Sequence, residues 1–194
     1  MPDKTKSLPR IAPLSPDELG PDAMDVIAGV LKAQSKPGRA DLPDFIAIML
    51  RYPELFRRQA DLSAELFGGA LPFRDVELVL LRTTWICQAP FIFGEHVRTA
   101  KANCGFTSGD IERIVDGSSA EGWDEHSRAL LKATEELIEN ADICDETWAM
   151  LAKTLDERQL IELPILVAHT QGVAYVQNAL RAPLMDGNQG LAAR

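Results

Sequence analysis

Apolar residues recur along this chain at spacings of three and four, and no segment alternates with period two. The most apolar stretch runs from Leu71 to Gly105. Within it, Val76-Glu77-Leu78-Val79-Leu80-Leu81 is apolar nearly all round with one acid inside, as a helix buried between others should be. Its β-branched residues are too few, and the run too long, for a strand. Ala89-Pro90 breaks this helix, and a second one carries Glu95-His96 as far as Asn103-Cys104, where Gly105 supplies the left-handed residue that ends it.

The rest of the chain reads as helices packed around this pair. Pro2, Pro9 and Pro13 make residues 1–14 an extended arm. Ser15-Pro16-Asp17-Glu18 is a capping box, and the helix it opens is interrupted at Gly20-Pro21 and resumes from Met24 to Leu31. Ser35 to Arg39 is a loop, Phe45 to Leu50 a short helix, and Tyr52-Pro53-Glu54 starts another that reaches Phe67 before Gly68-Gly69. Thr107 and Asp110 cap a short helix closed by Gly117, an amphipathic helix covers Asp124 to Glu139, and a further one covers Glu146 to Thr154. Asp156 and Gln159 cap the last long helix, which reaches Leu180 with a kink expected from Pro164. The tail from Met185 to Arg194 is expected to fray. The reading is one all-α domain, a bundle of about eight helices.

Composition narrows the possible partners. A chain of 194 residues that is 46% hydrophobic and 25% charged has enough apolar surface for one core. The formal net charge of -9 argues against nucleic acid and anionic membrane, which require a basic patch. The N-terminus has no apolar signal region, so a cytoplasmic protein is expected. Cys87, Cys104 and Cys144 are odd in number and widely spaced, and they include no C-x-x-C. They support neither a disulfide framework nor a zinc site, and read as reduced thiols of a core. No metal or other cofactor is expected, because no His/carboxylate spacing marks a metal and no glycine-rich phosphate loop follows a strand.

The candidate chemistry lies in the central stretch. By helical period, His96 shares a face with Ala89, Ile92, Phe93, Thr99, Ala100 and Asn103. Glu77 shares its face with Arg74, Leu81 and Thr84, so it is either paired with Arg74 or Thr84, or is a buried carboxyl able to exchange protons near neutrality. His169 sits with Ile165, Leu166, Val173 and Val176, as a core residue or as part of the same pocket. His126, among Asp124, Glu125 and Ser127, is expected to be exposed. In a simple hairpin turning at Ala89-Pro90, Glu77 falls about 18 Å before the turn and His96 about 9 Å after it. The two then meet only across an oblique crossing or with a second subunit.

Four segments carry a resemblance: RDVELVLLRTTW (74–85), GEHVRTA (94–100), GFTSGDI (105–111) and LIELPILVAHTQGV (160–173). Over roughly residues 40 to 183 the chain resembles the carboxymuconolactone decarboxylase family, whose superfamily includes the alkylhydroperoxidase D-like proteins. The resemblance implies an all-α homo-oligomer, commonly a trimer or hexamer, acting on a small molecule without a cofactor, at a site built on Glu77 and His96. Arg74, Thr84 and His169 are the candidates for binding substrate. The peroxidase branch of the superfamily carries C-x-x-C just before its histidine, at positions held here by Ala89 and Ile92. Neither residue can form a thiolate, so dithiol peroxidase chemistry is expected to be absent. What remains is acid/base, decarboxylase-type proton transfer on a small carboxylated or lactone substrate. The alternative is a non-catalytic oligomeric member that keeps the fold.

Overall fold

A computed structural model describes residues 8–33 and 42–194. Among these residues the chain is all-helical, with nine α-helices and no strand. They are α1 (Pro21–Ala33), α2 (Asp44–Met49), α3 (Pro53–Phe67), α4 (Phe73–Ile86), α5 (Pro90–Asn103), α6 (Ser108–Asp116), α7 (Glu125–Asn140), α8 (Asp145–Leu151) and α9 (Glu157–Leu180). The loop expected at Ser35 to Arg39 and the first seven residues of the expected arm lie outside the described residues. Ser15 and Glu18 do close on each other, the Ser15 amide donating to Glu18 Oε2 at 2.8 Å, but they cap only a 3-10 turn, Pro16–Glu18.

The packing follows the apolar pattern. α4 is the central helix and touches α3, α5, α6, α7 and α9. Leu78, Leu81, Leu130, Leu131 and Leu166 are all buried in the cluster around it. Each such side chain contributes about 1.5–3 kcal/mol on leaving water. A smaller cluster joins α1, α2 and the start of α3 through Val26, Ile27, Leu50 and Phe56. A third joins Phe45, Leu80, Phe91 and Ile92, with Phe67, Val173 and Val176 packed against it. α9 continues through Pro164 as a single helix of 24 residues.

Three expectations are corrected. The tail expected to fray is docked: Gly190 and Ala193 are buried, the 3-10 turn Gly190–Ala192 lies on α5, and Arg194 pairs with Glu112 at 2.7 Å. Small residues in the tail permit that close approach. His126 is half-buried, with Nε2 2.8 Å from Asp75 Oδ2 and Nδ1 2.8 Å from Thr154 Oγ1, so it ties α4 and α7 to the turn after α8. The thiols expected in the core are not fully buried either, although Cys104 packs against the main cluster. Cys87 and Cys104 are half-buried, and Cys144 is exposed, its Sγ 3.2 Å from Glu136 Oε1.

Candidate functional site

Glu77 stands in the middle of α4 with no solvent exposure. Both of its carboxylate oxygens lie 3.0 Å from His96 Nδ1. Glu77 and His96 therefore meet within one chain. α4 ends at Ile86, and only Cys87, Gln88 and Ala89 separate it from α5, with Gln88 at a φ of 52° and the Ala89 amide donating to Thr84 O at 2.9 Å. Glu77 is thus about 14 Å from its end of the turn and His96 about 9 Å from the other, an offset that two long side chains span. The His96 ring also stacks on Phe67 of α3, with centroids 5.7 Å apart and planes at 20°.

This geometry fixes the imidazole. An ionised carboxylate only accepts hydrogen bonds, so Nδ1 carries the proton and donates to Glu77. Nε2 makes no hydrogen bond among the described residues, and the side chain keeps 22% exposure through which a small molecule can reach it. Phe67 holds the ring plane. A base oriented by a buried acid is suited to taking a proton from a substrate and returning it.

The residues expected to bind substrate are placed differently from one another. Arg74 is exposed, with its guanidinium 4.2 Å over the Phe106 ring and no ion pair among the described residues. Thr84 is fully buried and donates to the Leu80 and Leu81 carbonyls of its own helix. Neither pairs with Glu77. His169 Nε2 is 2.8 Å from Ser63 Oγ, which also lies 3.0 Å from Gln59 O. Since the hydroxyl has one proton to give to that carbonyl, Nε2–H of His169 donates to Ser63. Burial pushes the pKa of His169 down and keeps the ring neutral. Ser63 and Phe67 are four residues apart on α3, so His169 and His96 approach the same face of that helix one turn apart.

Cys104, at the end of α5, is a poor nucleophile. Burial pushes its thiol pKa up, and the charge of Glu77 pushes it the same way against the opposing pull of Arg74. Two residues escaped the sequence reading. Phe67 gave no signal beyond its place before Gly68-Gly69. Gln177, a carboxamide directly after the apolar run Val173 to Val176, is only 2% exposed; Ile92 N donates to its Oε1 at 3.4 Å, while its Nε2 has no partner among the described residues. Among the described residues no group of His, Cys, Asp and Glu is arranged to hold a metal, and no helix is long and apolar enough to cross a membrane.

No family model matches the chain, and no curated protein matches its sequence. Solved structures do match the fold. The chain is similar to a peroxidase-related protein from Ralstonia eutropha described as an alkylhydroperoxidase AhpD core, with a TM-score of 0.74 at 14% identity, covering 93% of this chain and 95% of that one. It is similar to a variant of the debrominase Bmp8 in complex with 2,3,4-tribromopyrrole, with a TM-score of 0.74 at 15% identity over 94% of each chain. A protein of unknown function from Agrobacterium tumefaciens, connected by its description to the antioxidant defence protein AhpD, has a TM-score of 0.66 at 17% identity, covering 71% of this chain and 94% of that one.

Proposed function

We propose that this chain, which has the AhpD-like helical fold, is a homo-oligomeric enzyme, a trimer or hexamer, that performs decarboxylase-type proton transfer on a small carboxylated or lactone molecule. His96 is its acid/base and Glu77 the partner that orients it. One observation carries this reading: both oxygens of a fully buried carboxylate meet Nδ1 of a histidine whose other nitrogen has no partner among the described residues. Loss of CO2 from an acid leaves a carbanion that must be protonated, and an oriented imidazole provides the proton. The neighbour that holds a small halogenated ring supports a small-molecule site in this fold. His169 of α9, bonded to Ser63 one turn before Phe67 on α3, is kept as a residue of the same site.

A thiol mechanism is disfavoured by Ala89 and Ile92 and by the raised pKa of Cys104. The test is a screen of ring lactones and related acids for loss of ultraviolet absorbance, repeated with His96→Gln. Turnover by the wild type that the variant abolishes, with fold and oligomer intact, is expected. Equal turnover by the variant removes His96 from the mechanism, and thiol-dependent peroxide consumption lost in Cys87→Ser would replace the reading altogether.

A further inference from the structure

The carboxamide of Gln177 is the most deeply buried polar side chain left incomplete near the dyad. Its oxygen takes the Ile92 amide, while both N–H bonds of Nε2 are unmet among the described residues. A buried donor of this kind is nearly always satisfied in a working protein, by water or by a ligand. Its surroundings favour a ligand. Ile92 belongs to the cluster of Phe45, Leu80 and Phe91, with Val173 packed against it one turn before Gln177. These side chains are apolar and offer a water no second partner, whereas a buried water needs two or more.

The same cluster leads to the dyad. Ile92 is four residues before His96 on α5, and Leu80 is three after Glu77 on α4, so each lies one turn away on the same face. Phe67 stacks on His96 and also packs against this cluster. The Gln177 amide thus lies about one helical turn, roughly 6 Å, from the level of His96. That spacing suits the two ends of one small molecule.

Charge decides what kind of molecule. Among the described residues near the dyad, Arg82 is bound to Glu135, Arg98 to Glu95, and Arg74 lies exposed over Phe106. Glu77 adds a buried carboxyl group and no cation. An anionic group would lose its water there without gaining a counter-ion, while a carbonyl oxygen requires only a neutral donor.

We propose that Gln177 Nε2 donates a hydrogen bond to the carbonyl oxygen of an uncharged apolar ring substrate whose neighbouring C–H bond faces His96. This rests on the acid/base reading of His96 and narrows its substrate class from carboxylated or lactone molecules to uncharged carbonyl rings, lactones among them, setting the carboxylated substrates aside. In the step, the C–H bond next to the carbonyl breaks and its proton passes to His96 Nε2. The electron pair forms a carbon–carbon double bond while the carbonyl π pair moves onto oxygen, giving an enolate that Gln177 stabilises. Return of a proton from the imidazole to carbon closes the cycle, with no other reactant.

The test uses the full chain, labelled with nitrogen-15, and cyclohexanone as probe. The side-chain amide signals of Gln177 are expected to shift saturably with cyclohexanone and not with cyclohexanecarboxylate. In heavy water, deuterium is expected to enter cyclohexanone next to its carbonyl, with the rate falling roughly a hundredfold in Gln177→Met. Unmoved Gln177 signals, an equal response to the carboxylate, or undiminished exchange in the variant would each overturn the proposal. Exchange that His96→Gln retains but Gln177→Met loses would instead overturn the acid/base reading and leave Gln177 as the carbonyl donor.

Discussion

Both oxygens of Glu77 lie 3.0 Å from Nδ1 of His96, and the carboxylate is wholly out of solvent while the imidazole keeps an exposed edge. The buried partner is thus placed to orient the ring, and the accessible partner is the one that a small molecule can reach.

This relationship is visible in the ring itself. In the wild type the neutral His96 ring should be the Nδ1–H tautomer, read from its nitrogen-15 shifts. Glu77→Gln offers a donor as well as an acceptor, so the preference should weaken. Turnover should then fall by about 10²–10⁴, the usual contribution of general acid–base catalysis. An unchanged tautomer and rate would mean that Glu77 only fills space.

His169 gives stability a pH dependence. Burial lowers its folded pKa, so the unfolded chain binds the proton more readily, beginning near its ordinary value of about 6.5. The contribution is present above that value and is lost as pH falls toward the lower folded pKa. Denaturant midpoints should therefore fall between about pH 7 and about pH 5, and His169→Gln should flatten that part of the curve. A variant curve as steep as the wild type would assign the slope to other groups.

The Asp75–His126–Thr154 chain links α4, α7 and the turn after α8. His126→Ala leaves Asp75, which is 8% exposed, without its partner. The expected loss is about 1–3 kcal/mol in urea unfolding, with no change in substrate turnover. A loss below a few tenths of a kcal/mol would reduce the link to a surface contact.

Gly94→Ala should destabilise, although alanine is favoured over glycine in an exposed helix by about 1 kcal/mol. A Cβ at this position would stand 1.9 Å from Asn188 Oδ1 and 3.0 Å from Gly190 N. It would displace Asn188 from its 2.9 Å bond to the Phe91 carbonyl and lift the tail from α5. Faster proteolysis of residues 186–194, together with a lower melting temperature, is the expected readout; a higher melting temperature would mean that the tail re-docks without cost.

The helices were largely legible because their signals are local. Tyr52-Pro53 and Gly68 bound α3, Thr107 and Asp110 form a reciprocal cap, and Asp156 accepts from Gln159 N at 2.9 Å. The Leu71–Gly105 stretch announced its two helices, its acid and its histidine through periodicity and a proline break. The sequence by itself therefore determined an all-helical chain with Glu77 and His96 on neighbouring apolar helices.

Only the tertiary structure decided what those residues touch. Helical spacing orders side chains along one helix but says nothing of the angle or register between two. The Glu77–His96 contact, expected to need an oblique crossing or a second subunit, forms within one chain across a three-residue turn. Phe67 of α3 reaches His96, and Gln177 of α9 reaches Ile92, through long-range packing that no local pattern encodes. The docked tail and the half-buried His126 follow the same rule: polar, small-residue segments read as solvent-facing until a neighbouring helix supplies the carboxylate, amide or carbonyl that lets them be buried.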